Sequence, residues 1–250
     1  MGFVAYETSG AIKVSDSTSE FTTTSTGNID NLNFSNAALI RMNNATLTTV
    51  RGLVAGQAGQ TVTIVSIGAG QVEFAHQNAN SAEANRLINF ATSANTPLAA
   101  GVGSATYQYD VTTARWRMVS HDQGATILPA FDAGVFTGSD SMTWTVASGD
   151  RLAYSYYLQG RLLYVNIYVQ TSTVGGTPSN SLQVTVPGGF SATRRTDTPM
   201  FADNNGTRQI GHLVIVEGTT LLLGRLLADG NWAAATDTSG IRTSMSFEVN

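Results

Sequence analysis

Apolar and polar residues alternate most regularly between Arg151 and Thr171, in the stretch RLAYSYYLQGRLLYVNIYVQT. Alternation with a period of two, broken by the short Gln159-Gly160 turn, predicts an antiparallel β-hairpin. The residues expected on the buried face of its second strand are Leu163, Val165, Ile167 and Val169. Two strands alone bury too little surface to be stable in water, so we expect this hairpin at the centre of a larger sheet.

The rest of the chain consists of short strand-like runs separated by glycine, proline and asparagine turns. A second hairpin is predicted around Glu217-Gly218, and only Ser81–Arg86 resembles a helical turn. Many short strands at close spacing are typical of all-β sandwiches or barrels and not of βαβ units. The sequence therefore predicts an all-β protein with two antiparallel, jelly-roll-like β-sandwich domains, and it contains no repeat at solenoid or propeller periods.

Turn-rich and polar segments suggest how the chain divides. Residues 1–28 end in a polar Ser/Thr tract, which favours either a flexible terminus or an extended arm that orders against a neighbour. The first sandwich is expected over residues 29–122 and the second over residues 143–250. Residues 123–142 form a linker whose large apolar residues are expected to dock on a domain or on a neighbouring subunit.

Composition excludes several classes of protein. Charged residues make up only 12% of the chain, its net charge is −4, and it has no cysteine. Nucleic-acid binding needs clustered Lys and Arg, so a nucleic-acid partner is not expected. No apolar run is long enough to insert into a membrane, and the beginning of the chain does not read as a secretory signal. Because the chain carries few charges, electrostatic repulsion between subunits would be weak, and assembly into an oligomer is plausible.

The sequence carries no recognisable catalytic or metal-binding motif. The three histidines have no ligand-like neighbours at the spacing of a metal site, so we expect no metal and no cofactor. Asp140 and Asp150 flank Trp144, an arrangement seen in sugar-cleaving sites. The simpler interpretation, which we favour, is that both acids belong to strand-end turns and that Trp144 packs in the core.

Aromatic residues supply the candidate binding surface. Five of the eight tyrosines lie in the central hairpin, and Tyr157, Tyr164 and Tyr168 are predicted on the faces opposite its apolar runs. An outward patch of tyrosines can stack on sugar rings or become buried between subunits, and we favour the subunit interface. The tryptophans Trp144 and Trp232 are further candidates for the same surface.

Two groups of motifs resemble bacteriophage fibre proteins. Gly59-Gln60-Thr61-Val62-Thr63, the turn Asn78–Arg86 and Arg115-Trp116 resemble β-rich modules of tail and head fibres. Gly176-Thr177-Pro178, Leu182–Gly189 and the closing strand GIRTSMSFEV are similar to C-terminal sandwiches of fibres or virion surfaces. The resemblance implies a homotrimer that binds host-surface glycans, and it carries no catalytic residue over to this chain.

These observations predict a non-enzymatic structural protein of a bacteriophage virion, a trimeric fibre, spike or decoration protein on the particle's exterior. Its N-terminal arm would contact other virion proteins. Two alternatives remain at this point. One is a polysaccharide-cleaving tailspike enzyme, although the chain is expected to be too short and irregular for the long β-helix of such enzymes. The other is a cellular carbohydrate-binding adhesin module.

Overall fold

The computed structural model describes residues 19–227 and 230–250, which form nineteen β-strands and three short 3₁₀ turns, with no α-helix. The all-β class predicted from the sequence is confirmed. The strands are β1 Glu20–Thr23, β2 Gly27–Ile29, β3 Leu39–Met42, β4 Thr48–Val50, β5 Thr61–Ser66, β6 Val72–Phe74, β7 Leu87–Ile88, β8 Thr96–Leu98, β9 Ser104–Asp110, β10 Arg115–Asp122, β11 Phe136–Gly138, β12 Met142–Thr145, β13 Arg151–Gln159, β14 Leu162–Gly176, β15 Ser181–Thr185, β16 Thr196–Asn204, β17 Thr207–Ile215, β18 Leu221–Leu226 and β19 Ala235–Glu248.

The first unit begins as a stack of parallel coils. Strands β1, β3 and β5 pair in parallel, with Leu39 opposite Glu20 on one side and Thr63 on the other. Strands β2, β4 and β6 stack in the same order in a second sheet. The chain therefore winds three times between two sheets, as a short β-solenoid whose coils of about 20 residues fall in the range of solenoid repeats.

The corner between the two sheets of the solenoid is held by Asn44, which is fully buried. Its amide nitrogen donates to the carbonyl oxygens of Thr46 (2.7 Å) and, one coil further on, Gln71 (3.1 Å). Glycine is required where the next coil passes this corner, because a Cβ on Gly70 would lie 2.2 Å from the Thr46 carbonyl oxygen. Close stacking of the coils thus depends on small residues and amide hydrogen bonds.

Antiparallel strands complete the first unit. Strand β8 pairs with β6, and β9 pairs with β5 and then with β10. The Trp116 indole is fully buried, donates to the Val54 carbonyl oxygen (3.1 Å), and packs edge-on against Phe34 and Tyr109. This unit therefore has its own hydrophobic core, which the coils and their antiparallel cover enclose.

Two expectations about the first half of the chain require correction. The first unit is not an antiparallel sandwich, because its first six strands pair in parallel within each sheet. The arm predicted at residues 1–28 includes β1 (Glu20–Thr23) and the first two residues of β2 (Gly27–Ile29), and Phe21 packs against the first core. The remainder of the predicted arm, residues 1–18, lies outside the described residues.

The second unit is one antiparallel sheet that nearly closes on itself. An eight-stranded path runs β11-β15-β18-β17-β16-β19-β14-β12, and β13 pairs with β14. Strands β11 and β12 are consecutive and joined by a tight turn, so the two ends of the path meet. This barrel-like sheet replaces the two-layered jelly roll expected from the sequence. Register shifts in β14 next to Ser172 bend this long strand, and bulges of this kind allow a sheet to close.

The central hairpin is confirmed. Strands β13 and β14 pair as far as Gln159 opposite Leu162, and Gly160 occupies the turn with a φ of +60°. The predicted buried face of β14 is at most 2% exposed. Leu152 departs from the predicted alternation and is exposed, because the register shifts between Arg151 and Ala153.

Part of the predicted linker packs on the second unit. Ile127, Phe131 and Val135 are partly buried against the second core, and the Arg151 guanidinium lies 5.5 Å from the Phe131 ring centroid. Leu128, in contrast, is 74% exposed. The apolar residues of this segment therefore divide between core packing and solvent exposure.

Gln123 joins the two units. This residue is fully buried, and its backbone oxygen accepts from the Ala99 N–H (2.8 Å). Its side chain accepts from the Leu158 N–H (2.9 Å) and donates to the Tyr156 carbonyl oxygen (3.2 Å), both on β13. At a second contact, the Asn250 carbonyl oxygen accepts from two N–H groups of the loop between β7 and β8 (2.7 and 2.9 Å). Directional hydrogen bonds therefore connect the two units at both contacts.

Candidate functional site

A groove of about 440 Å³ lies on the outer face of the second unit, over β13, β14 and β19. Successive side chains of a strand point to opposite faces, so the residues between the core positions of β14 and β19 are directed outward. The lining consists of Thr126, Ser155, Tyr156, Tyr157, Tyr164, Val165, Asn166, Ser244, Met245 and Ser246. None of these side chains is charged at neutral pH, and several carry hydroxyl or amide groups.

Two of the predicted tyrosines form one wall of the groove. Tyr157 and Tyr164 are opposite each other in the hairpin, and their ring centroids are 6.4 Å apart at an interplanar angle of 52°. The Tyr157 hydroxyl donates to a carboxylate oxygen of Asp122 at the end of β10 (3.0 Å). Partial burial, and then this hydrogen bond, raise the pKa of Tyr157. The first unit thereby fixes one ring of the groove, while Tyr164 remains 42% exposed.

A second depression of about 310 Å³ continues the groove onto β16. Its lining residues are Asn166, Pro199, Phe201, Arg242, Thr243 and Ser244. Asn166 and Ser244 belong to both depressions, and the Ser244 hydroxyl donates to the Asn166 amide oxygen (3.1 Å). The two depressions therefore adjoin at Asn166 and Ser244 and together cross four neighbouring strands, and we call them the channel.

Tyr168, the third predicted tyrosine, packs against the guanidinium of Arg242, which lines the second depression. Arg242 lies opposite Tyr168 on one neighbouring strand and opposite Phe201 on the other. Its guanidinium carbon is 5.0 Å from the Tyr168 ring centroid, and the Tyr168 hydroxyl donates to the Gln170 amide oxygen (3.0 Å). Phe201 is 55% exposed. The channel thus has an aromatic, uncharged end at Tyr164 and a cationic end at Arg242.

The two candidate tryptophans lie in the core and not in the groove. Trp144 is buried and donates from its indole nitrogen to the Ser172 hydroxyl (2.8 Å). Trp232 is fully buried, and its indole nitrogen donates to the Gly224 carbonyl oxygen (3.1 Å). Both large rings fill the inside of the barrel, where each polar N–H has a partner. The structure therefore does not bring them together with the tyrosines.

The acids that flank Trp144 in sequence stabilise turns. Asp140 has a φ of +54° in the turn between β11 and β12 and accepts from the Ser179 hydroxyl (2.5 Å). Asp150 accepts from the Ala147 N–H (2.8 Å) and from the Thr171 hydroxyl (3.1 Å). These contacts agree with the simpler interpretation of both residues, in which they belong to strand-end turns.

Two of the three histidines, His76 and His121, also make structural contacts. His76 accepts from the Asn89 N–H at Nδ1 (3.1 Å), and His121 donates from Nε2 to the Pro97 carbonyl oxygen (2.8 Å). Burial lowers the pKa of both imidazoles. Residues 19–227 and 230–250 contain no group of three or more His, Cys, Asp or Glu residues placed to hold a metal ion. Within the same ranges, no helix has the length and apolar character needed to cross a membrane.

The motifs that resemble fibre modules hold the first unit together. The Asn31 amide oxygen accepts from the Ala82 N–H (2.9 Å) and from the Asn85 amide (2.7 Å), which ties the turn motif to the first coil. Arg115 forms an ion pair with Glu83 (2.6 Å) across the same turn. These residues stabilise the turn and are not part of the groove.

No protein-family model matches this chain, and no curated protein matches it at a significant level.

Sequence reasoning identified the tyrosines of the groove but missed its polar floor and its cation. Asn166 lies between buried neighbours on β14, and Arg242 and Ser244 each have one buried neighbour on β19, which is a detectable signal of an outward position. That signal does not reveal which strands are neighbours, and β14 and β19 are far apart in the chain. The register of this strand pair brings the three residues onto one surface.

Proposed function

We propose that this chain is a non-enzymatic structural protein of a bacteriophage particle, a homotrimeric fibre, spike or decoration protein that presents a receptor-binding face. The observation that carries the proposal is the channel on the outer face of β13, β14, β19 and β16. It combines aromatic rings with uncharged hydroxyl and amide groups, the combination that recognises polyhydroxylated ligands. The sequence resemblance to fibre modules supports the placement on a virion.

The joint between the units supports a role as a rigid spacer and display element. Gln123 and the bond between Tyr157 and Asp122 fix the barrel against the solenoid at the groove's own wall. Within the described residues, β1 and β2 each pair on one side only, so the solenoid ends in open strand edges. Open edges are ready to pair with another chain, which is how the N-terminal part would attach to other virion proteins.

Assembly as a trimer is supported by large apolar side chains outside the groove. Leu128, Leu152 and Leu227 are 74%, 51% and 67% exposed, in a chain with only 12% charged residues. Light scattering of the purified protein at micromolar concentration should give three times the chain mass. A monomer with an intact fold would overturn the trimer.

The location on the virion is tested separately. Antibodies raised against the purified protein should label intact particles of the bacteriophage that carries this gene in immunogold electron microscopy. Mass spectrometry of purified particles should detect the chain in a fixed ratio to a capsid protein. Particles that lack the chain in both measurements would overturn the proposed location.

A second candidate function is a polysaccharide-cleaving tailspike, which the parallel coils favour. The sequence predicts a chain too short and irregular for the long β-helix of such enzymes, but β1 to β6 do form a short solenoid of three parallel coils. Release of reducing ends from bacterial surface polysaccharide distinguishes the two functions. Catalytic release by the purified protein would favour the enzyme, and binding without release would favour the structural protein.

A further inference from the structure

We infer that the channel binds an acidic oligosaccharide, with a pyranose ring stacked on Tyr164 and a carboxylate of the ligand bound by Arg242. The inference deepens the proposed function, because it rests on this face being the receptor-binding surface. It specifies which chemical class of receptor the face selects and which end of the channel makes the selection.

The length of the channel fits a short chain of sugars. The channel crosses β13, β14, β19 and β16, and four adjacent strands with a spacing of about 4.8 Å span about 14 Å, room for roughly three linked pyranose rings. Both depressions are lined by Asn166 and Ser244, so they meet at this pair of residues. A ligand that stacks on Tyr164 and reaches Arg242 would pass over the Asn166 and Ser244 side chains, whose hydrogen bond joins β14 and β19.

Arg242 is available to a ligand carboxylate. Within residues 19–227 and 230–250, no Asp or Glu oxygen lies within 4.0 Å of its guanidinium, whereas eight other arginines of this part of the chain form such ion pairs. The guanidinium lies over the Tyr168 ring, whose hydroxyl is bonded to Gln170. Stacking uses the face of the guanidinium and leaves the N–H groups on its edge, which bind a carboxylate in a bidentate manner.

The remaining lining of the channel suits the uncharged part of a saccharide. Asn166, Ser244 and Ser246 present amide and hydroxyl groups that can both donate to and accept from sugar hydroxyls. The exposed rings of Tyr164 and Phe201 offer apolar surfaces at the two ends of the channel. Neither depression is lined by an Asp or Glu side chain, but the Asp122 carboxylate accepts from the Tyr157 hydroxyl (3.0 Å) at the wall of the first depression, so the ligand carboxylate is placed at the other end, beside Arg242.

The test measures binding of the full chain to an array of uronic-acid and sialic-acid oligosaccharides, each paired with its carboxyl-reduced form. Acidic probes should bind at least about tenfold more tightly than their reduced forms, the difference expected for a charge-assisted contact. Arg242→Gln should remove this preference while leaving binding of the reduced forms unchanged. Tyr164→Ser should weaken binding of both members of each pair.

Two variants serve as matched controls. Arg208→Gln removes an arginine that is paired with Asp203 on the same sheet but does not line the channel, and Leu162→Ser changes an exposed residue of β14 outside it. Both should bind as the wild type does. Equal binding of acidic and reduced probes would overturn the role of Arg242, and no binding to any probe would overturn the saccharide site.

These outcomes are separable from those of the proposed function. A chain found on virions that binds no saccharide of the array would refute the ligand and leave the virion protein standing. If Tyr164→Ser or Arg242→Gln instead converted an oligomer into monomers, the face would be a subunit interface and the ligand proposal would be overturned. Circular dichroism and melting temperature of each variant establish that its fold is intact.

Discussion

Replacing Gln123 with alanine should loosen the joint between the two units more than any exposed substitution. The change removes the hydrogen bond from the Leu158 N–H (2.9 Å) and those to the carbonyl oxygens of Tyr156 (3.2 Å) and Ala125 (2.7 Å). Each neutral hydrogen bond contributes about 1 kcal/mol net, and a buried N–H left without a partner costs about 1–3 kcal/mol. We therefore expect a loss of about 2–4 kcal/mol.

Differential scanning calorimetry and urea unfolding measure this loss directly. For a chain of this size, such a loss lowers the melting temperature by roughly 10 °C. Gln108→Ala is the matched control, because the Gln108 side chain is exposed and makes only a 3.5 Å contact with the Gly59 carbonyl oxygen. A Gln123→Ala protein that melts within about 2 °C of the wild type would refute the reasoning that this amide carries the joint.

Three further predictions concern the stability of the units. Ile167→Ala, at a position 1% exposed, should lower the free energy of unfolding in urea by about 2–5 kcal/mol. Leu162→Ala, on the outer face, should lower it by less than about 1 kcal/mol. Similar losses for the two variants would mean that the two faces of β14 are wrongly assigned. The Arg117 side chain lowers the pKa of Asp110 to about 2, so this carboxylate stabilises the fold above about pH 4 and loses that contribution as the pH falls toward 2. Asp110→Asn should therefore flatten the acid-unfolding profile between these two pH values. An unchanged profile would contradict the pairing of Asp110 with Arg117. A chain that begins at residue 30 lacks β1 and β2 and should melt at a lower temperature than one that begins at residue 19, which retains both strands. Equal melting temperatures would show that the first coil does not contribute to the stability of the fold.

Elements that are formed by residues close together in the chain could be predicted from the sequence alone. The central hairpin, its buried face and the second hairpin around Glu217-Gly218 were predicted, because period-two alternation and a glycine turn report on neighbouring residues. The parallel coils were not predicted, since alternation identifies the buried face of a strand but not the direction of its neighbour. The coils also differ in length, which removes the fixed repeat that would have revealed them.

The candidate site shows the same limit. Tyr157 and Tyr164 were identified because they belong to one hairpin, and the turn between the strands fixes their register. Arg242 comes from a strand about 75 residues further along the chain, and only the pairing of β14 with β19 places it beside Tyr168. Trp144 has the aromatic character of a binding residue, but its ring lies in the core, as the simpler interpretation of the Asp140–Asp150 stretch predicts.

The central claim is that the face carrying Tyr164 and Arg242 binds the receptor of a bacteriophage. It is tested most directly by competition, in which purified protein is added to host cells before the phage and the rate of adsorption is measured. The account predicts that the wild-type protein and the Arg208→Gln control block adsorption, while a Tyr164→Ser/Arg242→Gln variant with an unchanged oligomeric mass and melting temperature does not. Equal blocking by that variant, or no blocking by the wild-type protein, would contradict the account.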